Sequence, residues 1–168
     1  MMTRRGLVLG GLTALGAGTF ARLASGGSPH GAAGGSFEVV RSEAEWRQIL
    51  SPEAYHILRE AGTEPAGSSP LNEEHRQGTY SCAGCELPLF SSSTKFESGT
   101  GWPSFYAPID GAIGTSEDGT LFFMVRTEVH CSRCGGHLGH VFEDGPPPTG
   151  LRYCMNGLAL NFEPAKSA

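Results

Sequence analysis

The five cysteines of this 168-residue chain divide as four plus one. Cys82 and Cys85 form one C-x-x-C pair, Cys131 and Cys134 form a second, and Cys154 stands alone within Arg152-Tyr153-Cys154-Met155-Asn156. Two such pairs can close a tetrahedral four-cysteine zinc site with no open coordination position, which makes the site structural. The fifth thiol is then free to react. Two imidazoles lie upstream of it in Gly136-His137-Leu138-Gly139-His140-Val141-Phe142. A lone thiol with groups able to move protons points to nucleophilic sulfur chemistry rather than metal chemistry. Two alternatives stay open at this level. The C-x-x-C pairs could be redox disulfides in an exported protein. His130, His137 or His140 could also replace one cysteine pair as metal ligands, at the cost of leaving thiols over.

Period-2 reading of Leu151 to Asn156 places Arg152, Cys154 and Asn156 on one face of a strand, with the bulky residues on the other. The fixed positive charge of Arg152 would favour the thiolate, and Asn156 offers a donor. The apolar phase slips after Gly157, where Leu158, Leu160 and Phe162 become the bulky positions, and this predicts a β-bulge at that glycine. Trp102, in the Gly- and Pro-rich segment Gly99-Thr100-Gly101-Trp102-Pro103-Ser104-Phe105, is a candidate pocket wall for an apolar or sulfur-linked methyl group. Ordinary core packing is its alternative.

The elements that must position these residues are short. Ser42 with Glu45 reads as a capping box, with Trp46, Ile49 and Leu50 as an apolar helical face. Ser51-Pro52 reads as a second helix start, and Tyr55, Ile57, Leu58 and Ala61 carry that helix to a stop near Gly62. From Thr79 onward the helical period vanishes. Tyr80, Leu87 to Phe90, Trp102, Phe105-Tyr106, Leu121 to Val125 and Val141-Phe142 alternate with turn residues, which predicts short antiparallel strands and a mainly β fold. The cysteine pairs lie forty-five residues apart, so the two knuckles must meet through the tertiary fold. His56 and His75 are expected to face solvent.

Residues 1–35 carry Arg4, Arg5 and Arg22 but no acidic residue, and the paired arginines precede an apolar Gly- and Ala-rich run. This layout predicts an export leader of the twin-arginine type followed by a flexible linker that contains His30, with the functional domain over 36–168. The expected location is periplasmic or otherwise extracytoplasmic, the alternative being an uncleaved membrane anchor. The whole chain has 12 basic and 17 acidic residues. Without the leader, nine basic residues face the same seventeen acidic ones, a net −8. An acidic body argues against nucleic acid as a partner. The mature domain is expected to be a monomer without stable membrane insertion.

The segments Gly99 to Phe105, Gly136 to Phe142 with Asp144-Gly145-Pro146, Leu151 to Asn156, and Gly78-Thr79-Tyr80 leading into Cys82 together resemble the peptide methionine-R-sulfoxide reductases, the MsrB family. The likeness covers roughly residues 37–163. The resemblance implies two small antiparallel sheets with short N-terminal helices, stapled by a structural zinc site of four cysteines. It implies Cys154 as the nucleophile that takes oxygen from the R epimer of methionine sulfoxide and becomes a sulfenic acid. His137, His140 and Asn156 would surround the sulfoxide oxygen, Arg152 would hold the thiolate, and Trp102 would receive the substrate methyl group. Phe142 and Asp144 match positions near the site. Many relatives carry a resolving cysteine where this chain has Thr100. The implied partners are therefore oxidised proteins as substrates and an external thioredoxin-like, glutaredoxin-like or small-molecule thiol as reductant. A non-catalytic, zinc-stabilised peptide-interaction module and a disulfide oxidoreductase built on a C-x-x-C pair are the competing classes.

Overall fold

The computed structural model describes residues 37–121 and 124–166. The expected leader and linker, His30 included, lie outside them, as do Phe122 and Phe123. Among the described residues no helix is long and apolar enough to cross a membrane.

The first two elements form where their caps require. In α1 (Glu43–Ile49), Ser42 Oγ accepts from the Glu45 amide and the Glu45 carboxylate accepts from the Ser42 amide, at 3.4 and 2.8 Å. That reciprocal bonding satisfies two of the free donors at a helix start. In α2 (Pro52–Glu60), Ser51 caps the Ala54 amide and Pro52 opens the first turn. The helix stops at Ala61, which takes the left-handed conformation, one residue before the glycine expected to end it. Trp46 and Leu50 are buried, as are Tyr55, Ile57 and Leu58. Ile49 is 52% exposed, and Ala61 is also exposed. Neither belongs to the apolar face assigned to it, because α1 ends at Ile49 and Ala61 follows the last helical turn.

Among the described residues, the rest of the chain is strands in antiparallel pairings joined by loops and short 3-10 turns. The strands are β1 (Gly78–Cys82), β2 (Pro88–Ser91), β3 (Lys95–Phe96), β4 (Ser104–Phe105), β5 (Ile113–Leu121), β6 (Met124–Cys131), β7 (His137–Phe142), β8 (Arg152–Met155) and β9 (Leu160–Pro164). One sheet has the order β2-β1-β9, the other β3-β4-β8-β7-β6-β5. Aromatic contacts join them. The rings of Phe90 and Phe105 stack at 4.4 Å between centroids, and Tyr80 meets Phe105 edge-on at 4.9 Å. Such pairs contribute about 0.5–1.5 kcal/mol each beyond the area they bury. The apolar run Leu121 to Val125 is not one strand, because β5 ends and β6 begins within it.

Two irregularities bear on the site. The slip at Gly157 is real, but it is not a bulge. Gly157–Ala159 form a 3-10 turn that carries the chain from β8 in one sheet to β9 in the other. The bulge lies in β7 instead. Val129 pairs with Gly139 and His130 with His137, so Leu138 is an extra residue. In an unbroken strand His137 and His140, three apart, would point to opposite faces. The extra residue brings them together, with ring centroids 5.4 Å apart. Gly139, at φ +156°, also permits close approach of β8, since a Cβ there would collide with the Cys154 carbonyl oxygen. We predict that Gly139→Ala lowers stability in denaturant unfolding by at least about 2 kcal/mol, through backbone overpacking.

Candidate active site

The β8 register fixes the neighbours of Cys154. It pairs with Ser104 on β4 and with His140 on β7. His140 pairs in turn with Glu128 on β6, and Glu128 with Ser116 on β5. Residues directly across adjacent strands share a face, so Ser104, Cys154, His140, Glu128 and Ser116 form one row over five strands. One pleat along on the same face, Arg152 pairs with Phe142 and Arg126 with Asp118.

Hydrogen bonds lock this face. His137 Nδ1 lies 2.7 Å from Glu128 Oε1, and Ser116 Oγ donates to Glu128 Oε2 at 2.7 Å. These bonds, that from His137 foremost, pull the Glu128 carboxyl down to about 2. His140 Nε2 lies 2.9 Å from Asp118 Oδ2, which also accepts from Arg126 at 2.7 Å. Burial pushes His140 below the ordinary imidazole value, and Asp118 opposes that. The Arg152 guanidinium makes two bonds of 2.8 Å to the Asp144 carboxylate and sits 4.4 Å above the Phe142 ring. Phe142 thus forms a platform under Arg152.

Cys154 is half-buried, and its Sγ is 3.9 Å from Thr100 Oγ1. Arg152 pulls toward the thiolate, in the direction its charge implies. Burial outweighs it, however, and the Cys154 thiol is raised above an ordinary cysteine despite Thr100, Arg152 and Ser104. Burial thus resists ionisation of this thiol.

The sites of Trp102 and Asn156 converge on a residue that escapes a reading of sequence alone. Trp102 is half-buried in its loop, and its Nε1 donates to the Glu64 carbonyl at 3.1 Å. Asn156 lies beyond the end of β8 and is only 3% exposed. Its Oδ1 accepts from the Glu64 amide and its Nδ2 donates to the Leu138 carbonyl. The buried Glu64 carboxylate receives the Gly157 and Leu158 amides at 2.6 and 3.1 Å, capping the 3-10 turn. Glu128 and Asp118 also go unmarked in sequence. The alternation Arg126-Thr127-Glu128-Val129-His130 was the available signal that Glu128 belongs to one face. His56 and His75 face solvent as expected, their side chains 59% and 71% exposed.

Away from this row, Cys82, Cys85, Cys131 and Cys134 gather with all four Sγ atoms within 4.8 Å of one another. The spacings Cys82–Cys134 and Cys85–Cys131 are 3.7 and 3.5 Å. A tetrahedral Zn²⁺ with Zn–S bonds of about 2.3 Å requires sulfur separations of about 3.8 Å, so the cage fits zinc. The knuckles are alike. The Glu86 amide donates to Cys82 O and the Gly135 amide to Cys131 O, with φ +60° at Glu86 and +67° at Gly135. Four thiolates so close need a cation between them. The histidines are engaged elsewhere or outside the cluster, which removes the mixed ligand set.

A two-sheet β protein with a closed cage of four cysteines and a separate thiol facing an imidazole is a metal-stapled, cysteine-bearing scaffold. The SelR domain family matches residues 50–164, and the chain belongs to that family. It is 56% identical over 127 residues to a protein of Agrobacterium fabrum named peptide methionine sulfoxide reductase MsrB, covering 76% of this chain and 94% of that one. It is 57% identical over 125 residues to the Methanosarcina barkeri protein of the same name, covering 74% and 88%. The Thiobacillus denitrificans protein, likewise named, is 56% identical over 129 residues, covering 77% and 98%.

Two outcomes follow from this geometry. Cys131→Ser should lose the bound zinc measured by metal analysis, with a clear fall in melting temperature, because metal affinity of such a cage is folding energy. The alkylation rate of Cys154 should rise with pH through a midpoint above that of an ordinary thiol. Arg152→Met should move that midpoint higher still, since the lost positive charge favoured the thiolate.

Proposed function

We propose that this chain reduces the R epimer of methionine sulfoxide in proteins to methionine, with Cys154 as nucleophile. The observation that carries this reading is the pairing of Cys154 with His140 in a chain of the SelR domain family. Repair of oxidised methionine is divided between enzymes, one for each sulfoxide epimer.

The Cys154 sulfur attacks the sulfoxide sulfur, oxygen passes to cysteine, and methionine leaves as the thioether. Two electrons move from cysteine to the methionine sulfur, and the cysteine ends as a sulfenic acid. The thiol proton finishes on the transferred oxygen, so no net proton is taken up. A thiol whose ionisation is resisted by burial suits this balance, because it brings the proton that oxygen needs. His140, directly opposite Cys154, and His137 are the groups taken to relay it. Arg152, clamped by Asp144 and Phe142, is taken to steady the thiolate as it forms. Trp102 is taken to bind the substrate methyl group, with Phe142 near the same pocket. Asn156 is taken to hold the loop-to-strand junction beside the oxygen. The zinc cage supplies structure and no step.

Return to the thiol needs a second sulfur. The other four cysteines form the metal cluster, and the residue nearest Cys154 in the Gly99–Pro103 loop with a bond to its sulfur is Thr100, a hydroxyl. We therefore assign recycling to an external thioredoxin-like, glutaredoxin-like or small thiol. The same reading takes residues 1–35 as a twin-arginine-type export leader, supported by Arg4-Arg5 ahead of an apolar run without acidic residues. Reductant and substrates would then meet the enzyme outside the cytoplasm.

With dithiothreitol as reductant, wild type should turn over the R sulfoxide and leave the S sulfoxide untouched, and Cys154→Ser should be inactive on both. Preference for the S epimer, or activity surviving in Cys154→Ser, overturns the assignment. Mass spectrometry after one turnover should show no internal disulfide.

A further inference from the structure

We infer that Glu128 is a positioning residue of this reduction: it fixes the proton of His137 on Nδ1 and leaves Nε2 as the nitrogen that exchanges protons at the site. The inference deepens the function proposed above and rests on it.

Both oxygens of the Glu128 carboxylate are engaged, Oε1 on His137 Nδ1 and Oε2 receiving the Ser116 hydroxyl. An ionised carboxylate only accepts hydrogen bonds. His137 Nδ1 must therefore carry hydrogen, and in the neutral ring Nε2 is bare. That Nε2 is buried and has no hydrogen-bond partner among the described residues, in a side chain only 5% exposed. Leaving such an atom unpaired costs free energy, which a ligand atom at the site would recover. His140 is anchored the other way round, through Nε2 to Asp118. The two imidazoles are thus held by carboxylates from different strands and through different nitrogens.

Backbone geometry makes this possible. The Leu138 bulge turns His137 onto the face of Glu128 and His140, and Glu128 stands directly across from His140. The charged and titratable groups around the pair are Glu128, Arg126 and His130 on β6, Asp118 on β5, His140 on β7, and Cys154 and Arg152 on β8. A carboxylate bonded to one imidazole nitrogen orients the ring and steadies it when the other nitrogen gains a proton. Because Nε2 has no direct bond to Cys154 Sγ, the proton reaches it through the substrate oxygen or a water between them, and His137 returns it to the departing oxygen, ending as it began.

Glu128→Gln replaces the obligatory acceptor with an amide that also donates. The single-turnover rate of R-sulfoxide reduction should fall on the order of 10²-fold. The KM for a sulfoxide peptide should change less than about 3-fold, since a single hydrogen bond at Nε2 is a small part of peptide binding. Nitrogen-15 spectra of His137 should show hydrogen on Nδ1 in wild type and a mixture of tautomers in Glu128→Gln. Ser116→Ala frees one carboxylate oxygen without removing the charge and should give a smaller fall in the same rate. A wild-type spectrum with hydrogen on Nε2, or a folded Glu128→Gln protein at the wild-type rate, overturns the inference. Should Glu128→Gln fail to fold, an unchanged rate in Ser116→Ala overturns it. Wild type inactive on both epimers contradicts the proposed function itself, while the spectra still read the tautomer.

Discussion

Gly139 brings the backbone of β7 against the Cys154 carbonyl, and the register set there puts an imidazole directly across from a thiol. Every other feature of the site is spaced from that pair. Moving β8 by one residue would turn Cys154 to the opposite face, because side chains alternate along a strand. Moving β7 would replace His140 with a glycine or a valine. The chemistry therefore depends on a contact that involves no side chain of its own.

The metal cage and the helical layer hold this register from outside. Cys134 precedes the first residue of β7 by three positions, so the second knuckle determines where β7 begins. The helices rest against the cage. Arg59 donates to the Cys134 carbonyl at 3.1 Å and its guanidinium lies 4.9 Å from the Trp46 ring. From the other end, Glu64 ties Trp102, Asn156 and the turn after β8 to one backbone position. A buried carboxylate holding two amides is worth more than an exposed pair, since removing it would leave those donors unsatisfied. The loop that carries Trp102 and the strand that carries Cys154 are thus fixed to a common point.

What could be read from sequence followed the range of the interactions. The caps at Ser42 and Ser51 act over three residues, so their signals are local and both helices begin as expected. Each C-x-x-C pair is also local, and only the meeting of the two pairs required the fold. The slip at Gly157 was visible, but its cause was not, because a change of sheet depends on β1 as well as β8. The bulge at Leu138 exists only relative to β6. Glu64 bonds residues more than ninety positions away, and no spacing rule reaches that far. The thiol of Cys154 shows the same limit: the charge of Arg152 is written in sequence, whereas the burial that outweighs it is a property of packing.

Together these constraints describe a half-buried thiol whose burial resists ionisation, set directly across from an imidazole. The most direct test is a single turnover without reductant, counting methionine formed and trapping Cys154 with a sulfenic-acid reagent. The account predicts one methionine per chain and the trapped adduct on Cys154 alone. Methionine released with Cys154 unmodified, or an adduct on a cysteine of the cage, would contradict it.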